Sequence, residues 1–214
     1  MNKEKYKYSS QIFEYLENAI LLGRFKEDEV ITELSIAKEM NVSRTPVREA
    51  LVQLEALGLI HSTNNGRGFM VRTITKDDVL DIYLIRKQLE TIAVSRSSQN
   101  IDNEELSSLG QIIALQEFYA SRGKFEELQK LDSDFHNIIY QSSKSKSLIF
   151  ILSTLHTYSK YARNLSFLHS DRSNDSINEH KMILDALEQN NEENAKQAIL
   201  IHIENAQRNI LENE

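Results

Sequence analysis

The chain has 214 residues, no cysteine, one proline and a net charge of −7, which leaves room for one large or two modest domains and excludes disulfides and thiolate metal sites. It holds no apolar run of membrane-spanning length, and Met1-Asn2-Lys3-Glu4-Lys5 lacks the apolar stretch of a signal peptide, so a cytoplasmic protein with no membrane partner is expected. Residues 1–73 carry ten Lys/Arg and ten Asp/Glu, and residues 74–214 the other 15 and 22, so the acidity belongs to the C-terminal part. A neutral N-terminal part can still bind a polyanion if its cations are clustered.

A first helix is expected at about residues 10–22, with Ile12, Leu16, Ala19 and Ile20 on one face and Gly23 ending it. Thr32 can cap a short helix over 33–40 with Leu34, Ala37 and Met40 inward. Asn41-Val42-Ser43-Arg44 then leads to Pro46, the only proline. Proline suits the first position of a helix, where its missing N–H is not needed and its fixed φ is already helical. With Thr45 as N-cap, the next helix carries an apolar face of Val47, Ala50, Leu51, Leu54 and Leu57. Arg44 and Arg48 flank its start, off that face. Cations there oppose the helix dipole, and a broken local rule marks a candidate site for an anion. Two short helices with this connection form a helix-turn-helix, whose second helix enters the major groove of DNA by its N-terminal residues.

Gly58 closes that helix. Leu59 to Thr63 reads as a strand, Asn64-Asn65-Gly66-Arg67-Gly68 as a turn suited to positive φ, and Phe69 to Arg72 as the returning strand. The hairpin is a wing, with Arg67 at its tip able to meet phosphate or a minor groove.

Ser43-Arg44-Thr45-Pro46-Val47-Arg48-Glu49-Ala50-Leu51, then Leu-Glu-Ala-Leu-Gly-Leu-Ile and Gly-Arg-Gly-Phe-Met-Val, make residues 10–72 resemble the winged-helix domain of the GntR superfamily of bacterial transcription regulators. The resemblance implies that Ser43, Arg44, Thr45 and Arg48 contact operator bases and phosphates, and that Gly66 lets the wing backbone approach DNA. Some members use an arginine before the second helix. Leu34 stands near that position here, so that contact is not carried over. One recognition helix reads too few base pairs for genomic specificity, so a homodimer on an inverted repeat is expected.

From residue 75 the chain reads as successive helices, giving a mainly α protein with a winged helix-turn-helix over 1–73 and an all-helical bundle over 74–214. Thr75-Lys76-Asp77-Asp78 is a helix start, and the helix it opens carries Val79, Ile82, Leu89 and Ala93 inward. Further helices are expected at about 102–121, 124–142, 146–168, 173–189 and 191–212, with short loops that pack neighbours antiparallel. Polar residues interrupt the apolar stripes. Asp132 falls in the stripe Leu128, Asp132, Phe135, Ile139, with His136 one turn on. His180 falls among Ile177, Leu184 and Leu187, and His202 among Ala195, Ala198 and Ala206. Buried separately, each would cost several kcal/mol without a partner, and a shared divalent metal satisfies all four. Lone inward histidines are more often hydrogen-bonded core residues, but Asp-x-x-x-His puts two metal-binding groups on one helix face.

Residues 75–210 also resemble the FCD-type ligand-binding domain of the FadR branch, in the run from Asp77 to Glu90, in Asp132-Ser-Asp-Phe-His136, in Glu179-His180 and at His202. Metal-binding members hold an ion at the places of Asp132, His136, His180 and His202. Zn, Ni, Mn and Fe all suit such ligands. Arg86 lies in the stripe Ile82, Arg86, Leu89, Ala93. It either pairs with a core acid such as Glu90 or, as the resemblance implies, faces a small carboxylate effector. His61, His156 and His169 are read as structural or surface residues, and Tyr158 and Tyr161 as optional pocket lining. The reading is a DNA-binding regulator controlled by a small organic acid at or near the metal. A purely structural metal and a helical metalloenzyme are the alternatives, the latter without a spare inward Glu to serve as general base.

Overall fold

A computed structural model describes the backbone of residues 2–21, 24–25, 29–63, 66–72, 75–165 and 172–212, and the side chains of these residues except 2–7, 21 and 160–165. Gly23, Asn64, Asn65, His169 and the side chain of Tyr161 therefore lie outside the described residues. The chain divides into two compact units, Met1–Thr75 and Lys76–Glu214.

In the first unit, α1 (Asn2–Leu21) packs on α3 (Arg44–Ala56), and α2 (Glu33–Glu39) packs on α3 from another side. Ile12, Leu16, Ala19 and Ile20 of α1 are buried, as the stripe requires, with Val47, Ala50, Leu51 and Leu54 of α3. Each fully buried Leu or Ile contributes about 1.5–3 kcal/mol, which fixes the orientation of α3 and leaves its other side to solvent. Thr32 caps α2 in a capping box with Ser35. Leu34 points outward and is 66% exposed, contrary to the sequence expectation. Ala37 is buried as expected, Met40 is half-buried, and Ile36 takes the inward place given to Leu34.

The start of α3 also differs from expectation. Ser43, not Thr45, is the N-cap, and it makes no side-chain capping bond. Pro46 is the third helical residue, and it is buried. The whole first turn lacks intrahelical acceptors for its N–H groups, so proline is tolerated there as well as at the first position. At the other end, Leu59 N–H donates to Leu54 O and Gly58 N–H to Glu55 O, with Gly58 at φ 72°. This is a Schellman closure.

Strands β2 (Ile60–Ser62) and β3 (Phe69–Val71) form the expected wing hairpin. The sheet has a third strand that sequence reading did not include, β1 (Val30–Ile31), giving the order β1-β3-β2 with antiparallel pairing. Two residues are too short for an alternation signal. Gly68 is the trace it leaves: a Cβ there would lie 2.6 Å from Val30 Cγ1 and 2.7 Å from Ile31 O.

The second unit consists of α4 (Lys76–Asn100), α5 (Asn103–Ala120), α6 (Phe125–Ser142), α7 (Lys146–Leu165), α8 (Arg172–Glu188) and α9 (Glu192–Glu212). These ranges fall close to the expected ones. Helix α4 packs on α9, α6 and α7, and α8 packs between α9 and α5. The inner faces of α6, α8 and α9 thus converge. On α4 the buried face is Val79, Tyr83, Arg86, Glu90, Ala93 and Ser97. Val79 and Ala93 of the expected stripe are buried, but Ile82 and Leu89 are only half-buried, and the Arg86–Glu90 pair takes the middle of the buried face.

Candidate functional site

Ser43, Arg44, Thr45 and Arg48 are all exposed at the N-terminal end of α3. The arginines are not independent. Arg44 donates from Nε (3.2 Å) and Nη2 (2.8 Å) to Glu33 Oε2. Arg48 donates from Nε to Glu33 Oε1 (2.6 Å) and from Nη2 to Oε2 (3.2 Å). Hydrogen bonds from Arg48 and then Arg44 hold the Glu33 carboxyl below the usual range, against the pull of burial. Gly66 has φ 64° and is exposed, with none of the described residues within 4 Å of where a Cβ would lie, its chain neighbours aside, and Arg67 beside it is exposed.

In the second unit, Asp132 and His136 on α6, His180 on α8 and His202 on α9 are all buried, and each offers one ligand atom within 4.8 Å of the others. His136 Nε2 lies 3.1 Å from His202 Nε2, and His180 Nε2 lies 3.6 Å from Asp132 Oδ1. The Nδ1 atoms all face outward from the cluster. That of His136 is 3.1 Å from Glu90 Oε2, that of His202 is 2.9 Å from Glu179 Oε2, and that of His180 is 3.0 Å from Gln116 Oε1. An ionised carboxylate only accepts, so Glu179 places the proton on Nδ1 of His202, whereas Glu90 meets His136 as a close charge contact outside hydrogen-bond geometry. His202 Nε2 then presents its lone pair to His136 Nε2 at 3.1 Å, which either donates a proton to it or, with its own proton on Nδ1, presents a second lone pair. In the second tautomer a cation would take both lone pairs, and Asp132 supplies negative charge beside them. The donor set therefore fits a divalent transition metal held by neutral imidazole and carboxylate.

The outer carboxylates are themselves anchored by arginines. Arg86 Nε donates to Glu90 Oε1 at 2.6 Å, and Arg172 donates through both Nη atoms to Glu179 at 2.7 and 2.6 Å. Burial pushes the Glu90 carboxyl up, but Arg86 and then His136 outweigh it and keep it ionised. Glu179 is also pushed up by burial, yet hydrogen bonds from His202, Arg172 and Asn205 bring it down to about 2. Burial lowers His202 more than Glu179 raises it, so the ring is neutral at pH 7, the form a metal needs. Arg86–Glu90 thus backs His136, and Arg172–Glu179 backs His202.

An open cavity adjoins the cluster, with Asp132 and His202 in its wall beside Gln116, Arg172, Ser176 and Leu128. Arg86 does not line it. That side chain is 2% exposed, stacks on Tyr83 and takes the ion-pair alternative with Glu90. Sequence reasoning did not single out Arg172, whose position after the undescribed segment 166–171 carries no periodic signal. It also placed His156 outside the site. His156 is buried on α7, with Nε2 3.6 Å from Asp132 Oδ2 and its ring 5.0 Å from that of His136. Its position one turn on from Leu152, a buried residue, was the available clue.

A winged helix-turn-helix followed by a second, all-helical unit that holds a buried Asp/His cluster marks a DNA-binding protein of two units. Comparison with known proteins agrees. The pattern of the bacterial regulatory proteins, gntR family, matches residues 8–71, and that of the FCD domain matches residues 81–205. The chain belongs to the GntR family of bacterial transcription regulators, in the group whose second domain is an FCD domain. It is 32% identical to the uncharacterized HTH-type transcriptional regulator YdhC of Bacillus subtilis, over 91% of this chain and 87% of that protein. It is 29% identical to the probable D-xylose utilization operon transcriptional repressor of Paenarthrobacter nicotinovorans, over 91% and 85%. The solved structure of E. coli McbR/YncC has the same fold, with a TM-score of 0.84 at 20% identity over 96% of this chain and 97% of that one. Among the described residues, no helix is long and apolar enough to cross a membrane.

Proposed function

We propose that this regulator is a cytoplasmic repressor, not an enzyme, whose operator affinity is set by a small carboxylate bound beside a divalent metal in the helical domain. The observation that carries the proposal is the orientation of the three histidines. Nδ1 of His202 is hydrogen-bonded to Glu179, that of His180 to Gln116, and that of His136 lies 3.1 Å from Glu90, and the three rings gather round Asp132. Asp132, His136, His180 and His202 would hold the ion, which when bound supplies positive charge and Lewis acidity at the cavity wall. Arg172, Ser176 and Gln116 offer donors to an acid in the same cavity. Arg86 acts from behind, by keeping Glu90 ionised beside His136. A ligand shifts operator affinity only through its different affinities for the two states.

Ser43, Arg44, Thr45 and Arg48 would read the operator, with Gly66 and Arg67 of the wing against the backbone. We propose a homodimer on an inverted repeat. Leu84, Ile85 and Ile92 of α4 and Phe150 and Ile151 of α7 leave apolar surface exposed on the helical unit, which supports dimerisation there. Repression is the sense carried by the name of the D-xylose relative.

The test measures operator binding in the presence of small carboxylates, with metal-loaded and chelator-treated protein, alongside metal content and sedimentation. Release by an acid that needs the metal, and is lost in Arg172→Ala, supports the proposal. Acid binding that persists unchanged in metal-free protein makes the ion structural and overturns the mechanism.

A further inference from the structure

On the reading of α3 as the DNA-reading helix, we propose that Glu33 is its positioning residue: one carboxylate holds Arg44 and Arg48 in the reading pose and offsets half their charge toward bare phosphate. Two arginines one turn apart, both about two-thirds exposed, would ordinarily repel and sample many rotamers. Here both close on a single carboxylate that is itself only 15% exposed. Its helix is fixed beside it by the Thr32–Ser35 capping box. All four bonds use the Nε and Nη2 edge of each guanidinium. The Nη1–Nη2 end of each fork is left by Glu33 for a base edge, the geometry that pairs with guanine O6 and N7.

The consequence is a specificity device. The Arg44–Glu33–Arg48 group carries a net charge of one rather than two, so a phosphate finds less attraction than two free arginines would give. A correctly placed base meets side chains whose freedom is already restricted before binding.

The test uses the full chain, with a duplex that the wild-type protein selects from a random-sequence library and a scrambled duplex of the same composition. Both are titrated at several salt concentrations. Glu33→Gln removes the charge and nearly keeps the shape. It should bind the scrambled duplex more tightly, with a salt slope steeper by about one, and its selected-to-scrambled ratio should fall by about fivefold or more. Glu33→Asp keeps the charge but is one methylene short of reaching both arginines. Its salt slope should stay as in wild type while the ratio falls. Thr32 and Ser35 keep α2 capped in both, and a circular dichroism melt verifies folding. Wild-type ratios in both variants overturn the proposal, as does an equal gain by Glu33→Gln on the two duplexes. Arg44→Ala and Arg48→Ala test the underlying reading separately, since unchanged binding in these removes the DNA-reading role itself.

Discussion

Replacing Glu179 by glutamine changes one atom at the rim of the Asp/His cluster and should weaken metal binding there. Each carboxylate oxygen of Glu179 accepts two donors: Oε1 from Arg172 and Asn205, and Oε2 from Arg172 and His202. An amide has one accepting oxygen, so two of these four donors must lose their partner. If the amide nitrogen faces His202, the imidazole proton has to leave Nδ1 and sit on Nε2, where it blocks a metal. If the oxygen faces His202, Arg172 and Asn205 are left against an NH2 group beside the cavity. Loss of such an outer partner weakens metal binding by about 10–100-fold. With metal at about 100 times the wild-type Kd, the ion stabilises the fold by about 2.7 kcal/mol, and a tenfold weaker site retains only about 1.4 kcal/mol. At about 2–4 °C per kcal/mol for a chain of this size, metal should raise the melting temperature of Glu179→Gln visibly less than that of wild type. A chelator-competition titration gives the Kd directly. Unchanged metal affinity in Glu179→Gln would refute the argument that the carboxylate sets the His202 tautomer.

Arg44→Ala and Arg48→Ala should each lower affinity for a selected operator by about 5- to 150-fold if the guanidinium makes a bidentate base contact, with melting temperature unchanged because both lie off the buried face; anisotropy titration measures it. Acidification should loosen the helical unit in two windows, followed by melts across pH. Below about 6.5 the unfolded chain takes up a proton that the depressed His202 refuses, so stability falls with pH. Between the unfolded value near 4.5 and about 2, protonation of Glu179 removes a further share. Gly68→Ala should destabilise the winged unit by about 1–3 kcal/mol through collision with β1, read by denaturant unfolding.

Much of this architecture is written in local pattern. Pro46 and Gly58 bracket α3, the 3.6-residue stripes place α4 to α9, and Asp132, His136, His180 and His202 interrupt apolar stripes that could only face inward. A helix stripe reports one direction, toward or away from a core, and that is enough to find those residues. It does not report which neighbour a buried polar atom meets. Glu33, eleven residues before Arg44, and Gln116, 64 before His180, become partners only when separate helices pack. The same holds for the contrast between the two arginines. Arg86 and Arg172 each grip a glutamate that lies against a histidine of the cluster, yet Arg172 lines the cavity and Arg86 does not. Amphipathic periodicity comes from the backbone's own geometry and is legible along one chain segment, whereas hydrogen-bond partners and access to solvent are set by distances between segments, which exist only in the folded molecule.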